Sequence, residues 1–430
     1  MHQLLLAALL TIPPIQYQHR TLPNGLEVYS AEDHTAPTVS IQVWYRVGSK
    51  DDPQHRSGFA HLFEHMMFKS TAHMKSEMMD RLTEDVGGFN NATTLDDATP
   101  YYEAVPSNYL ETLLWAEADR MSSLNVDEAT FKSEREVVKE EFRYRILAPP
   151  YGRFYYAIDK SSFAKHPYRR PGIGSIEDLD ASTLADVRRF HDTYYRPDNA
   201  DLIVVGDFDP AQLNAWVDKY FGPVAKPSSP IPRVTVKEPP RTNVKRVVEH
   251  GPNVPLPALA ITWLAPAESN PDSYALNVAA AILGRGESSR LYQSLVYKKQ
   301  IAQEADAQAD LRGDLGLFGV IAIMATGHST AEGEKALRAE LKGLEEKLVS
   351  DAELDKAKNL LLTDALRGRE TNYGKAFALG QAIVLDGDAE EVNRGLQKLQ
   401  AVTAEDVRRV IRKYVRDGKS VVINYEGGAK

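Results

Sequence analysis

Thr183-Leu-Ala-Asp186-Val-Arg-Arg-Phe-His-Asp-Thr-Tyr194, followed after a short break by Leu202-Ile-Val-Val-Gly206, has a near copy close to the other end of the chain. There Thr403-Ala-Glu-Asp406-Val-Arg-Arg-Val-Ile-Arg-Lys-Tyr414 is followed by Ser420-Val-Val-Ile-Asn424, so the interval from Thr183 to Thr403 is about half of the 430-residue chain. In each copy, a threonine and an aspartate three positions later form a capping box. About three helical turns follow, then a polar turn and a short buried strand. A helix-turn-strand unit repeated at half the chain length predicts two related domains that arose by internal duplication.

Between the copies, Pro223-Val-Ala-Lys-Pro-Ser-Ser-Pro-Ile-Pro232 and then Pro239-Pro240 cannot continue a helix or a central strand and read as a semi-rigid linker. Alternating segments such as Val39 to Tyr45 and Ala258 to Trp263 predict strands. Residues 108–121, 128–144 and 331–348 predict helices. Strands and helices mix without strict β-α-β alternation, so the fold class is α+β, in two related domains. The expected division is 15–222 for a first domain, 223–241 for the linker and 242–430 for a second domain.

Composition removes several function classes. The chain is 43% hydrophobic and 26% charged, as globular proteins are, and its net charge of −9 argues against coating nucleic acid. No apolar run approaches the roughly 18 residues of a membrane span. With no cysteine, disulfides, thiolate zinc sites and cysteine nucleophiles are excluded, which leaves any metal to His, Asp and Glu. Residues 1–14 contain the apolar run Leu4 to Leu10, yet no Lys or Arg precedes Arg20 and no A-x-A site follows. A clipped secretion signal and a surface arm both fit. The first reading places the chain in a bacterial periplasm, the second in the cytoplasm.

The chemistry concentrates in His61-Leu-Phe-Glu64-His65, within an unbroken segment after Gly58. On a helix His61 and His65 lie one turn apart, about 6 Å along the axis and on one face. Both imidazoles can therefore reach one zinc ion. Glu64 projects beside them, placed to take a proton from water held at the metal. Phe59, Leu62, Phe63, Met66 and Met67 predict a buried helix at the floor of a cleft. Two histidines need a third ligand, and Glu134-Arg-Glu-Val-Val-Lys-Glu140-Glu141 offers candidates. Glu134 and Glu141 share a helix face and Glu140 turns about 100° away. Spacing alone leaves the third ligand open.

These motifs resemble the inverzincin metallopeptidases: pitrilysin, insulin-degrading enzyme and the mitochondrial processing peptidase. In that family H-x-x-E-H is followed, well along the chain, by a glutamate ligand inside E-R-x-V-[IV]-x-x-E. Here Glu134-Arg135 opens the matching segment and Glu141 closes it, at the interval from His65 that the family keeps. The resemblance implies the sandwich fold of the processing-peptidase type and one Zn2+ per chain on His61, His65 and Glu141. It also implies Glu64 as general base and Glu134 as a supporting catalytic acid. Leu22-Pro-Asn-Gly-Leu-Glu-Val28 matches the family's opening strand. Gly87-Gly-Phe-Asn-Asn91-Ala92-Thr-Thr94 matches the G-G-x-x-N-A-x-T segment whose strand pairs with substrate backbone. Phe68, Asn91 and Ala92 are the substrate contacts so implied. His166-Pro-Tyr168, Gly174 to Leu179 and Tyr195 to Asp207 extend the match.

One departure matters. Leu283 to Leu291 matches the glycine-rich L-G-G-G-x-S-S-R-L segment, but active members then carry R-x-K-R-G-L-A-Y, whose Arg and Tyr contact substrate. Here Tyr297-Lys-Lys-Gln-Ile-Ala-Gln303 puts Tyr297 at the Arg position and Gln303 at the Tyr position. The resemblance therefore implies a split site: a zinc endopeptidase of unfolded peptides, working as a heterodimer with a homologous zinc-less subunit that supplies Arg and Tyr. The other class of reading is a non-catalytic, zinc-bound scaffold or peptide-binding subunit.

Overall fold

The computed structural model describes residues 13–415 and 419–428, so the Leu4 to Leu10 run lies outside the described residues. Two mixed sheets form the frame. The first joins β1 (Gln18–Thr21), β2 (Glu27–Glu32), β3 (Thr38–Tyr45), β4 (Phe89–Ala92), β5 (Thr99–Pro106) and β6 (Ala200–Gly206) in the order β1-β2-β6-β3-β5-β4. The second joins β7 (Lys245–Gly251), β8 (Ala258–Ala265), β9 (Ala302–Asp310), β10 (Gly316–Met324) and β11 (Val421–Gly427) in the order β7-β11-β8-β10-β9. β2 runs parallel to β6 and β7 parallel to β11, while the other pairs are antiparallel. Strand for strand, the second sheet repeats the first without β1. The chain is thus two homologous α+β domains.

Both copies of the repeat fold as their sequences predict. Thr183 and Thr403 cap the helices Leu184–Tyr194 and Ala404–Tyr414 through complete capping boxes, and the chain then enters β6 and β11. The three other predicted helices occur as Leu110–Ser123, Glu128–Phe142 and Thr330–Glu346.

The central strands are buried on both faces because both faces are covered. Val39, Ile41, Val43 and Tyr45 of β3 belong to the first domain's main core, whereas Trp44 points to a separate cluster on the opposite face. That cluster is closed by Ala376 and Leu379 of the helix Asn372–Gln381, a segment of the second half of the sequence. Conversely, Phe154 of the helix Gly152–Ser162 packs on Ala258, Ala260, Ile423 and Tyr425 of the second sheet. The interval from Gly152 to Asn372, where the two covering helices begin, equals the interval from Thr183 to Thr403. Each half therefore lends the other a helix.

The proline-rich linker lacks helix and strand but is held along its length. Arg196 donates to the carbonyls of Pro227 and Ser229, Arg233 to the Arg46 carbonyl and to Asn199 Oδ1. The Glu238 carboxylate accepts from the backbone N–H groups of Ala164, Lys165 and His166 at 2.6, 2.9 and 2.8 Å. A second tie between the halves is Arg312, 7% exposed. It meets Asp96 at 3.2 Å and Asp159 at 2.8 Å in the first half and Asp310 in its own, with its guanidinium over the rings of Phe163 and Tyr168.

Candidate metal centre

The helix Phe59–Met66 starts at Gly58, whose φ of 96° lies in the left-handed region where a side chain would be strained. Asp52 accepts from the N–H groups of Gly58 at 2.6 Å and Ala60 at 2.9 Å, satisfying donors that the helix cannot. Phe59, Leu62, Phe63, Met66 and Met67 are all buried, which fixes the opposite, polar stripe toward the helix Glu128–Phe142. Phe190, from the first copy of the repeat, stacks on Phe63 at 5.5 Å and meets Phe59 edge-on at 5.8 Å.

Three side chains converge on one point. His61 Nε2 lies 3.1 Å and His65 Nε2 3.2 Å from Glu141 Oε2, and the three ligand atoms all lie within 4.8 Å of one another. A tetrahedral zinc with bonds near 2.0–2.1 Å places its ligand atoms about 3.3 Å apart. The two nitrogen–oxygen separations match that spacing, so the residues fit the ion. No other such cluster of three His or carboxylate groups occurs among the described residues. Burial opposes charge on His61, yet the Glu141 and Glu64 carboxylates outweigh it and hold the imidazole up at about 9. Hydrogen bonds from His61 and His65 hold Glu141 far below the ordinary carboxylate range. The pocket thus attracts positive charge, whether a proton or a divalent cation.

Helix register explains which glutamate joins them. Glu140 points outward, with 71% of its side chain exposed, and pairs with Arg143. Glu141 faces the histidines, and Glu134, two turns earlier on the same face, stands 3.8 Å from His65 Nδ1 and 3.1 Å from Lys69 Nζ. Glu134 is therefore beside the centre rather than in it. Glu64 is 3.3 Å from His61 Nδ1 and accepts a 2.6 Å hydrogen bond from the Thr94 hydroxyl. Burial would raise its pKa, but His61, Thr94 and His65 together hold it below the ordinary range, which leaves a carboxylate able to accept a proton. Sequence reasoning assigns no role to Thr94 or Lys69. Thr94 carries a signal, its place in the N-A-x-T segment, but its contact with Glu64, distant along the chain, is set by the sheet.

On the cleft side, β4 is the edge strand of the first sheet. It carries Asn91 and Ala92, and Asn91 Oδ1 accepts from the Ala92 N–H. Phe68 packs on the core, 6.1 Å from the Tyr101 ring and with the buried Arg120 guanidinium over its face. Tyr297 is 67% exposed, and Gln303 lies on β9, the edge strand of the second sheet.

Residues 27–145 match the family profile described as "Insulinase (Peptidase family M16)" and residues 181–361 the one described as "Peptidase M16 inactive domain". The chain is 32% identical over 414 residues to the zinc protease PqqE of Helicobacter pylori, covering 95% of this chain and 92% of that protein. It is 26% identical over 415 residues to a probable β subunit of the mitochondrial-processing peptidase of Arabidopsis thaliana, covering 95% and 77%. Among solved structures, a protease from Helicobacter pylori superposes with a TM-score of 0.91 at 31% identity, over 96% of this chain and all of that one. A peptidase M16 inactive domain from Pseudomonas fluorescens, at 18% identity and a TM-score of 0.86, shares the fold. On these matches the chain belongs to the M16 family of insulinase-type zinc metallopeptidases.

Proposed function

We propose that the chain is a zinc-dependent endopeptidase of unfolded peptides, with His61, His65 and Glu141 as ligands of one zinc ion and Glu64 as general base. The observation that carries this reading is Glu64: a carboxylate beside the ligand set but outside it, oriented by Thr94 at 2.6 Å. A structural site would gain nothing from such a group. Zinc, when bound, acidifies water and polarises a carbonyl oxygen. Glu64 accepts the water's proton at a carboxylate oxygen and later returns it to the leaving amine. Glu134 and Lys69 hold His65 in place from behind. The open edge of β4, with Asn91 and Ala92, offers main-chain hydrogen bonds to an extended peptide irrespective of its side chains, and Phe68 lies close to that strand.

The same reading includes a partner. Tyr297 and Gln303 occupy the positions where the family resemblance expects the substrate-contacting Arg and Tyr, which supports a heterodimer with a homologous zinc-less subunit supplying that pair. A periplasmic setting accords with the Leu4 to Leu10 run and is part of the proposal.

The test is turnover of a quenched fluorescent peptide by the zinc-loaded chain, with Glu64→Gln as the blank. Activity that disappears in the variant while zinc content stays at one per chain supports the peptidase, and activity of the chain alone removes the need for a partner. A silent wild-type chain that gains activity on adding an Arg/Tyr-bearing subunit supports the split site. Full turnover by Glu64→Gln overturns the assignment of the base.

A further inference from the structure

Arg145 stands at the metal centre without being one of its candidate ligands. Beyond Glu141, the helix Glu128–Phe142 runs on as a π-helix, Arg143–Leu147, and such widened turns are frequent at functional sites. Arg145 follows Glu141 by four residues, which brings the two side chains together on one helix face. Its Nη1 lies 3.0 Å from Glu141 Oε1, whereas Glu141 Oε2 is the oxygen that meets both histidines. A guanidinium is therefore one carboxylate away from the three converging ligand atoms.

That guanidinium has donors to spare. The Arg145 side chain is 66% exposed, and Glu141 is its one carboxylate partner among the described residues. The neighbouring cations are committed elsewhere: Lys69 to Glu134 at 3.1 Å and Arg143 to Glu140. An exposed ion pair contributes little to stability, so the fold alone gives no reason for an arginine at this position. Its placement does. Glu64 stands against His61, and Arg145 against Glu141, so a base and a cation adjoin different members of the ligand set.

We infer that Arg145 is a catalytic residue of the proposed peptidase, whose guanidinium donates to the oxygen of the scissile carbonyl as negative charge develops there. The inference rests on the peptidase reading but not on the partner subunit within it. As the water's oxygen bonds to the carbonyl carbon, the C=O π pair moves onto the carbonyl oxygen. Arg145 stabilises that oxyanion while Glu64 holds the water's proton. When the C–N bond breaks, the pair returns to re-form C=O, and the proton passes from Glu64 to the leaving amine. The carbonyl oxygen carries its full charge only between these two events, so the interaction acts on kcat rather than on KM.

The experiment compares the wild type with Arg145→Gln and Arg145→Lys as zinc-loaded full chains, together with the partner subunit if turnover requires one. Kinetics are read on a quenched fluorescent peptide. Affinity is read for a phosphinic peptide, whose tetrahedral phosphinate mimics the oxyanion, and for zinc itself by competition with a chelator. Arg145→Gln should lower kcat about 100-fold with KM unchanged, and weaken the phosphinic peptide by the same factor. Arg145→Lys, which keeps the charge, should recover part of both losses. Zinc affinity should hold or rise, because a positive charge leaves the site. Weaker zinc binding by Arg145→Gln, with the phosphinic peptide bound as tightly as before once zinc is saturating, overturns the inference, since Arg145 would then only orient Glu141. Turnover that is lost in Glu64→Gln but kept in Arg145→Gln overturns the inference alone. A wild type that neither cleaves the peptide nor binds its phosphinic analogue overturns the peptidase reading, and the role of Arg145 with it.

Discussion

At the scale of single residues, the centre is assembled from one helix face and one register. His61 and His65 were legible from their spacing alone, since a helix puts them on one stripe whatever surrounds it. Glu141 was not, because choosing between it and its neighbours requires knowing how the helix Glu128–Phe142 rolls against the helix Phe59–Met66. That roll is set by tertiary packing of Phe131, Val138 and Phe142, so only resemblance to known sequences could name the ligand. Thr94 makes the residue-scale prediction. Thr94→Val removes the hydrogen bond that orients Glu64, and kcat of the competent enzyme should fall about 10-fold, the order expected for one bond to a charged group. KM and zinc content should hold, and Thr94→Ser should recover most of the loss. Unchanged kcat in the valine variant would show that Glu64 needs no such support.

At the scale of elements, the repeated helix does different work in its two copies. In the first, Phe190 backs the helix that carries His61, Glu64 and His65 through Phe59 and Phe63. In the second, Arg409, Lys413 and Tyr414 of the helix Ala404–Tyr414 converge on Asp272, just before the helix Ser273–Gly284, at 2.6, 2.7 and 2.8 Å. Burial would raise the Asp272 pKa, but these three partners outweigh it and depress it from 3.8 to about 2. A depressed carboxyl adds stability that is complete above its unfolded pKa and is lost as pH falls through the folded value. Asp272→Asn should therefore cost on the order of 2 kcal/mol at pH 7. The gap from wild type should close between about pH 4 and pH 2, read as the difference in urea midpoints. A gap that stays constant with pH would mean that packing, not charge, is what the substitution removes. The helices themselves were legible from their capping boxes and periodicity. Their partners were not, because an amphipathic face states only that something apolar covers it.

At the scale of the whole molecule, the least legible feature is the exchange of covering helices. Gly152 to Ser162 lies in the first half of the sequence, and nothing in that stretch shows that Phe154 belongs to the second sheet. The close fit of the return exchange is testable at Gly380. A Cβ there would stand 2.2 Å from Cε2 of Trp44, so Gly380→Ala forces the helix Asn372–Gln381 off the first sheet. Overpacking of this kind costs about 1–3 kcal/mol, measurable as a lower denaturant midpoint with tryptophan fluorescence red-shifted. A variant as stable as wild type would show that the two halves slide freely over one another.

The exchanged helices also impose an order on synthesis. Trp44 leaves the ribosome early, but the helix that shields it ends at Gln381, when most of the chain has already been made. At about 5–20 residues per second, translation leaves that face of the nascent first sheet wet for tens of seconds. A polypeptide stopped after residue 222 would keep it wet permanently. Such a fragment should bind the hydrophobic dye ANS and sediment as aggregate, and should be recovered as soluble protein when the remainder of the chain is co-expressed.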